Sequence, residues 1–335
     1  IVGLGNIGKE YETTRHNIGF KIADHISENI GSEFELQKHA FYAQGKFKGR
    51  NIHVIKPSNF VNNSGKAVQY WSNELKIQLE NILVITRGHP FERDPFFEMI
   101  DSTGYAWSHI EHPAAQDFIN SQTNINYKAL IFYDMPGIDF ETAPPKPTFF
   151  EPKTNFKQNF IDLLKKGIGC VFIHHSIAGW PSWEEYGNII GGRFLYQKSN
   201  IRGVTKPDSG YRHDVTYKVM KVGNHPITDG VENFEITDEL YLAEIFEDDI
   251  NPILRSDYEF LDKNFFSAAR ALEGEMFSNR DWSHDKGCDI VGWTKKYESS
   301  SIAYLQFGDG PLSYKNENFR KLIKQSINWV IKETG

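Results

Sequence analysis

The chain has 335 residues, 39% hydrophobic and 24% charged, with a net charge of −7. At roughly 100–200 residues per domain this suggests two domains, and the composition excludes wholesale disorder and a collagen-like chain. Cys170 and Cys288 are too few for a disulfide framework and point to a reducing cytoplasm, while no apolar run approaches the ~20 residues of a bilayer-spanning helix, so no membrane partner is expected.

Ile1-Val2 leads into Gly3-Leu4-Gly5-Asn6-Ile7-Gly8, a strand running into a glycine turn. Ile22, Ala23 and Ile26 at helical spacing predict a helix over Lys21–Asn29, stopped by Gly31. Phe41–Phe47 and Asn51–Ile55 read as a hairpin about Lys48-Gly49-Arg50, and Ser64–Leu75 as a helix. Ile82–Ile85 is an apolar run and so a buried strand. Beyond it come a helix at Asp94–Ser102, a strand at Ala129–Tyr133 ending at Asp134, and a proline-rich loop at Thr142–Thr148. A helix at Asn155–Lys166, a strand at Cys170–His174 and a helix at Trp183–Ile190 follow. Strands at Thr216–Val222 and Ser301–Phe307 and a final helix at Asn318–Lys332 complete the series. This alternation predicts an α/β fold with a mostly parallel, doubly wound sheet covered on both faces.

Charge is unevenly spread. Residues 1–85 hold ten Lys and Arg against eight Asp and Glu, so the acidity lies in the remainder. The Gly3-x-Gly5-x-x-Gly8 spacing matches a dinucleotide fingerprint. However, Tyr11, Thr14-Arg15-His16-Asn17 and Gly19 form a polar cluster where such a helix buries small apolar residues, so no dinucleotide is expected.

The stretches IVGLGNIGKEYETTRHNIGF (1–20) and KPSNFVNNSGKAVQYW (56–71) resemble the two signatures of bacterial peptidyl-tRNA hydrolase. The resemblance implies that His16 activates the water that cleaves the peptide–tRNA ester. It also implies that Asn6 and Asn62 hold substrate and water, and that Tyr11 belongs to the tRNA-facing surface. A neutral imidazole titrating near 6.5 suits that task. The resemblance ends near residue 85. Where the family continues with an Asp that orients its catalytic His, this chain has Thr86-Arg87-Gly88-His89-Pro90. A cationic Arg87 in that neighbourhood disfavours an imidazolium. The segment is therefore expected to be a truncated head, 1–80, with weak or no hydrolysis of peptidyl-tRNA. Its Lys and Arg side chains leave tRNA binding without catalysis as an alternative.

Residues 81–335 resemble a complete ThuA-like domain, a family linked by name to trehalose utilisation and similar in fold to class I glutamine amidotransferases and flavodoxin-like proteins. The motifs are ILVITRGHPFERD (82–94), FIHHSIAGWPSWEEYGNIIGGRF (172–194), HPITDGVENFEITDELY (225–241) and YLQFGDGPLSYKNENFRKLI (304–323). Glutaminase chemistry needs a thiolate at a strand-to-helix elbow. His175-Ser176-Ile177-Ala178-Gly179 has no Cys there, Cys170 lies at the wrong end of its strand, and Ser176 lacks the glycines of a serine elbow. Ligands of open α/β sheets sit beyond the carboxyl ends of the strands. That rule selects His89, Asp134, His174 and His175, which His225 and Glu239 join through the family motifs. Trp180 is the expected apolar wall. Two readings of the imidazoles stand: a crevice for a small carbohydrate, with donors suited to a divalent metal, or core histidines packed on Trp180 and Trp183. No other cofactor is expected. The family usually carries a His where Asp309 stands. The expected whole is a fusion of an incomplete peptidyl-tRNA hydrolase head with a carbohydrate-associated ThuA-like domain of undefined reaction.

Overall fold

A computed structural model describes residues 1–47, 49–75, 81–139 and 148–333. Lys48 of the expected hairpin turn and all but the last residue of the expected Thr142–Thr148 loop lie outside the described residues, as does the Asn62 side chain. The chain divides into two compact units, Ile1–Leu79 and Glu80–Gly335.

In the first unit the helix α1 (Ile18–Asn29) packs on an antiparallel sheet of β1 (Glu35–Gln37), β2 (Ala40–Phe47) and β3 (Arg50–Pro57). Val2 forms a parallel bridge with Ile55. The glycines of the opening motif serve close packing. A Cβ on Gly19 would collide with the Leu4 backbone, and one on Gly3 with the Gly19 carbonyl. The buried Asn17 amide accepts from the Asn6 N–H at 2.7 Å and donates to its carbonyl at 3.0 Å. The Asn6 peptide of the turn is thus bonded to the protein itself. The helix α2 (Ser64–Glu74) lays Trp71 flat on Tyr42, ring centroids 4.5 Å apart. The core is small: Ala23, Ala43 and Val54 in one cluster, Ala40, Ile55 and Trp71 in another.

The second unit is built on a ten-stranded sheet. Its strands are β4 (Asn81–Arg87), β5 (Ala106–Glu111), β6 (Ala129–Asp134), β7 (Gly169–Ile173), β8 (Gly210–Lys221), β9 (Phe234–Leu242), β10 (Asn251–Ser256), β11 (Phe266–Ser267), β12 (Ile290–Tyr297) and β13 (Ser300–Leu305). The order is β9-β8-β10-β12-β13-β7-β6-β4-β5, with β11 beside β8. The strands from β13 to β5 run parallel, as the α/β alternation predicts. From β9 to β13 the pairing is antiparallel, so the sheet is mixed rather than mostly parallel. The sequence reading finds β8 and β13 of that half but not β9, β10, β11 and β12.

Successive strand residues point to opposite faces, and both faces are covered. Ile82, Val84, Ile131, Tyr133, Val171 and Ile173 meet the helices α3 (Arg93–Asp101) and, farther along the chain, the C-terminal Glu317–Lys332. Leu83, Ile85, Leu130, Phe132, Cys170 and Phe172 meet α4 (Thr154–Lys165) and α5 (Glu184–Ile190). The Ile82–Ile85 run is the middle of β4, paired with β5 on one side and β6 on the other. Among the described residues no helix is long and apolar enough to cross a membrane.

Candidate functional site

The apolar β7 ends at Ile173, and His174 follows with φ +51°, a left-handed conformation that costs a non-glycine residue about 1–3 kcal/mol. The expected strand therefore stops one residue early, and His174 itself occupies the elbow. Hydrogen bonds hold it there. Tyr304 donates its hydroxyl to the His174 carbonyl at 2.8 Å, and Ser176 donates to the Ile173 carbonyl at 2.8 Å. The fully buried Ser176 hydroxyl is thus a turn-closing group and not a nucleophile. His174 Nδ1 lies 2.7 Å from the Gln306 carbonyl oxygen, which only accepts, so Nδ1 carries a proton.

That bond turns Nε2 toward two carboxylates, Glu239 Oε2 at 3.2 Å and Asp309 Oδ1 at 3.6 Å, with the Tyr241 hydroxyl at 2.9 Å. One donor atom from each of His174, Glu239 and Asp309 falls within 4.8 Å of the others. The neighbouring Asp238 fixes the frame. Its buried carboxylate accepts from the backbone N–H of Gly308 (2.7 Å), Asp309 (2.9 Å) and Glu239 (2.9 Å). Gly308 has φ +121°, which lets the chain turn after β13 and present Asp309. On β8 the register shifts between Arg212 and Val215, and Asp214 takes φ +54°. This bulge carries His213, whose Nδ1 lies 3.3 Å from Glu239 Oε1.

Burial lowers the affinity of His174 for a proton, but the Asp309 and Glu239 carboxylates outweigh it and the pKa is raised. Burial raises the Asp309 carboxyl and His174 more than offsets it, leaving it lowered. Asp238 is pushed up to about 6 by burial, against the pull of His174 and its backbone donors. His175 and His89 go the other way: burial and neighbouring imidazoles hold both pKa values down, those of His175 far down. The His175 ring lies 4.7 Å from His89 and 4.3 Å from Tyr133, and among the described residues neither of its nitrogens has a partner at hydrogen-bond geometry. Exposed Phe277 stands 6.0 Å from the His213 ring, beside Tyr211.

The structure therefore gathers His89, His174, His175 and Glu239, with the buried His175 ring packed on His89 and Tyr133. Three other expected residues are elsewhere. Asp134 and Tyr133 are consecutive on β6 and point to opposite faces, so Asp134 turns away from His175. Its carboxylate meets buried His112 Nε2 at 2.9 Å. The Trp180 ring is core: 1% exposed, it packs on His112, Phe150 and Phe156 and forms no crevice wall. His225 caps the Ile227 N–H at 3.1 Å and leans on Trp329. Trp329 lies near the C-terminal end of Glu317–Lys332, whose other end adjoins Asp309, about 18 Å along the axis at 1.5 Å per residue. In the first unit His16 is exposed and, among the described residues, no carboxylate pairs with it. Asn6 Oδ1 accepts from the Val61 N–H at 2.9 Å, tying the two signatures together, and Tyr11 packs edge-on to Phe60.

His213, Asp238 and Tyr241 escape the sequence reading. His213 depends on a bulge, which no local pattern announces. Asp238 adjoins Glu239 within a family motif, and that adjacency was a usable signal.

Residues 1–87 match the family model for peptidyl-tRNA hydrolase, and residues 84–330 the model for trehalose utilisation, ThuA. The peptidyl-tRNA hydrolase of Cytophaga hutchinsonii is 57% identical over 86 residues, which is 26% of this chain and 46% of that protein. That of Parabacteroides distasonis is 44% identical over 85 residues, 25% of this chain and 46% of that protein. The chain thus spans less than half the length of these relatives. The crystal structure of a ThuA-like protein from Parabacteroides merdae superposes with a TM-score of 0.55 over 76% of this chain and 90% of that one. At 12% identity this is a likeness of fold.

The Asp134–His112 pair yields a stability prediction. His112→Leu leaves a buried carboxylate without its partner, a loss of about 3–5 kcal/mol. Burial raises the Asp134 carboxyl, opposed by His112. The folded chain therefore holds that proton to higher pH than the unfolded chain does, and stability falls as pH rises through the raised value. Denaturant unfolding of His112→Leu should show a deficit that is larger in mildly alkaline than in mildly acidic buffer. A deficit independent of pH would contradict the pairing.

Proposed function

Over residues 84–330 the chain belongs to the trehalose utilisation (ThuA) family, and on that premise we propose that its second unit holds a small saccharide against His174, Glu239 and Asp309. The observation that carries this reading is the convergence of one imidazole nitrogen and two carboxylates, all within 4.8 Å of one another, with exposed Phe277 6.0 Å from the neighbouring His213 ring. Carboxylates accept from sugar hydroxyls, imidazoles donate or accept, and an aromatic rim covers the apolar face of a ring. An imidazole whose free nitrogen faces carboxylates also takes up and returns a hydroxyl proton, which suits a sugar-modifying reaction. Two free cysteines, one of them buried, fit a reducing compartment such as the cytoplasm. Calorimetric titration with trehalose and related disaccharides tests the reading. Wild type and His225→Ala should bind alike, and His174→Ala should not bind. Equal binding by wild type and His174→Ala, or no binding of any disaccharide by wild type, would contradict it.

For the first unit the reading is an inert or tRNA-binding segment rather than a hydrolase. Two observations support it: His16 lacks a carboxylate partner among the described residues, and the match covers less than half of the hydrolase relatives. Loss of an orienting Asp costs about four orders of magnitude in a comparable triad. Release of free tRNA from peptidyl-tRNA should therefore be negligible. Rapid release that disappears in His16→Ala would overturn this, whereas tRNA binding that weakens steeply with salt would support the binding role.

A further inference from the structure

We infer that His174, Glu239 and Asp309 form a divalent transition-metal site with one position left open, of the kind that zinc occupies. The inference rests on the reading of this cluster as the ligand site and names the cation at its centre. Zinc sits about 2.0–2.2 Å from imidazole nitrogen and carboxylate oxygen in a tetrahedron, which requires ligand atoms roughly 3.4 Å apart. Nε2 of His174 lies 3.2 Å from Glu239 Oε2 and 3.6 Å from Asp309 Oδ1, so two edges of that tetrahedron already have the right length. Three protein ligands and one open position describe a catalytic zinc rather than a structural one. Asp309, the least buried of the three, leaves the open position on the accessible side.

The surroundings argue independently of the donor set. A metal-bound imidazole gives its other N–H to a carbonyl or carboxylate, which fixes tautomer and orientation. His174 does this through Nδ1 to Gln306. A ligating carboxylate has its second oxygen held by an outer partner, and His213 sits 3.3 Å from Glu239 Oε1 while Oε2 faces the centre. The loop that delivers Asp309 is pinned by the Asp238 carboxylate through the Gly308 and Asp309 N–H groups. Among the described residues Tyr241 competes for the Nε2 lone pair, at 2.9 Å, and Glu239 is within its electrostatic reach as an alternative acceptor. The rival occupant of the point is a proton on Nε2, which makes the same three residues an ion pair.

The test is titration of the full chain, stripped with chelator, with Zn²⁺ and with Mn²⁺. It is read by bound-metal stoichiometry after gel filtration and by the shift in unfolding temperature. The expected result is one equivalent bound with a rise in unfolding temperature. Asp309→Asn and His174→Gln should bind at least about 10-fold more weakly, and His225→Gln should bind like wild type. Asp309→Asn is the informative variant if His174→Gln fails to fold. No binding by folded wild type, or undiminished binding by Asp309→Asn, overturns the metal site in favour of the ion pair. Disaccharide titration of both the stripped and the metal-loaded chain separates the two readings. Saccharide binding without metal binding removes the metal alone, and metal binding without saccharide binding removes the saccharide alone.

Discussion

The bond from His174 Nδ1 to the Gln306 carbonyl decides the chemistry of the second unit. It joins the ends of two adjacent parallel strands, β7 and β13, and leaves the opposite ring nitrogen to face Glu239 and Asp309. Without it the imidazole is free to choose its tautomer; with it, Nε2 stands between the buried Glu239 and the partly exposed Asp309 carboxylates. Two carboxylates so close repel unless a positive charge or a shared proton stands between them. Either a proton or a cation meets that requirement.

The strain at His174 serves the same placement. A left-handed φ at the end of a strand brings the ring out of the sheet and over its edge. Tyr304, Ser176 and Gln306 together determine that conformation, so its cost of about 1–3 kcal/mol is offset by groups that are themselves buried. The β8 bulge plays the matching part on the antiparallel half, re-aiming His213 at Glu239. Both halves of a mixed sheet thus contribute to one point.

Much of this was legible in the sequence. Apolar runs marked β4, β6 and β7 because these strands are covered on both faces, and the carboxyl-end rule led from them to His89, His174 and His175. It failed at Asp134 because one residue along a strand reverses the face. The expectation of an apolar wall failed at Trp180, whose large ring is buried in the core. Motif membership misled at His225, since a family signature marks a capping role as readily as a binding one. The antiparallel strands β9, β10 and β12 carry mixed patterns and bulges, so their register, and with it the approach of Asp238 to Gly308, is set by tertiary pairing. In the first unit the glycine pattern was recognisable, and the structure uses Gly3 and Gly19 for the close approach of strand segment to helix.

The most direct test of this account is the protonation of one ring. Long-range ¹H–¹⁵N spectra of the chain labelled at histidine, with His174 assigned by comparison with His174→Gln, report each imidazole nitrogen separately. The account predicts a protonated Nδ1 that persists across neutral pH and on metal addition, with any change confined to Nε2. A His174 ring carrying its proton on Nε2 alone, with Nδ1 bare, would contradict the placement on which the site depends.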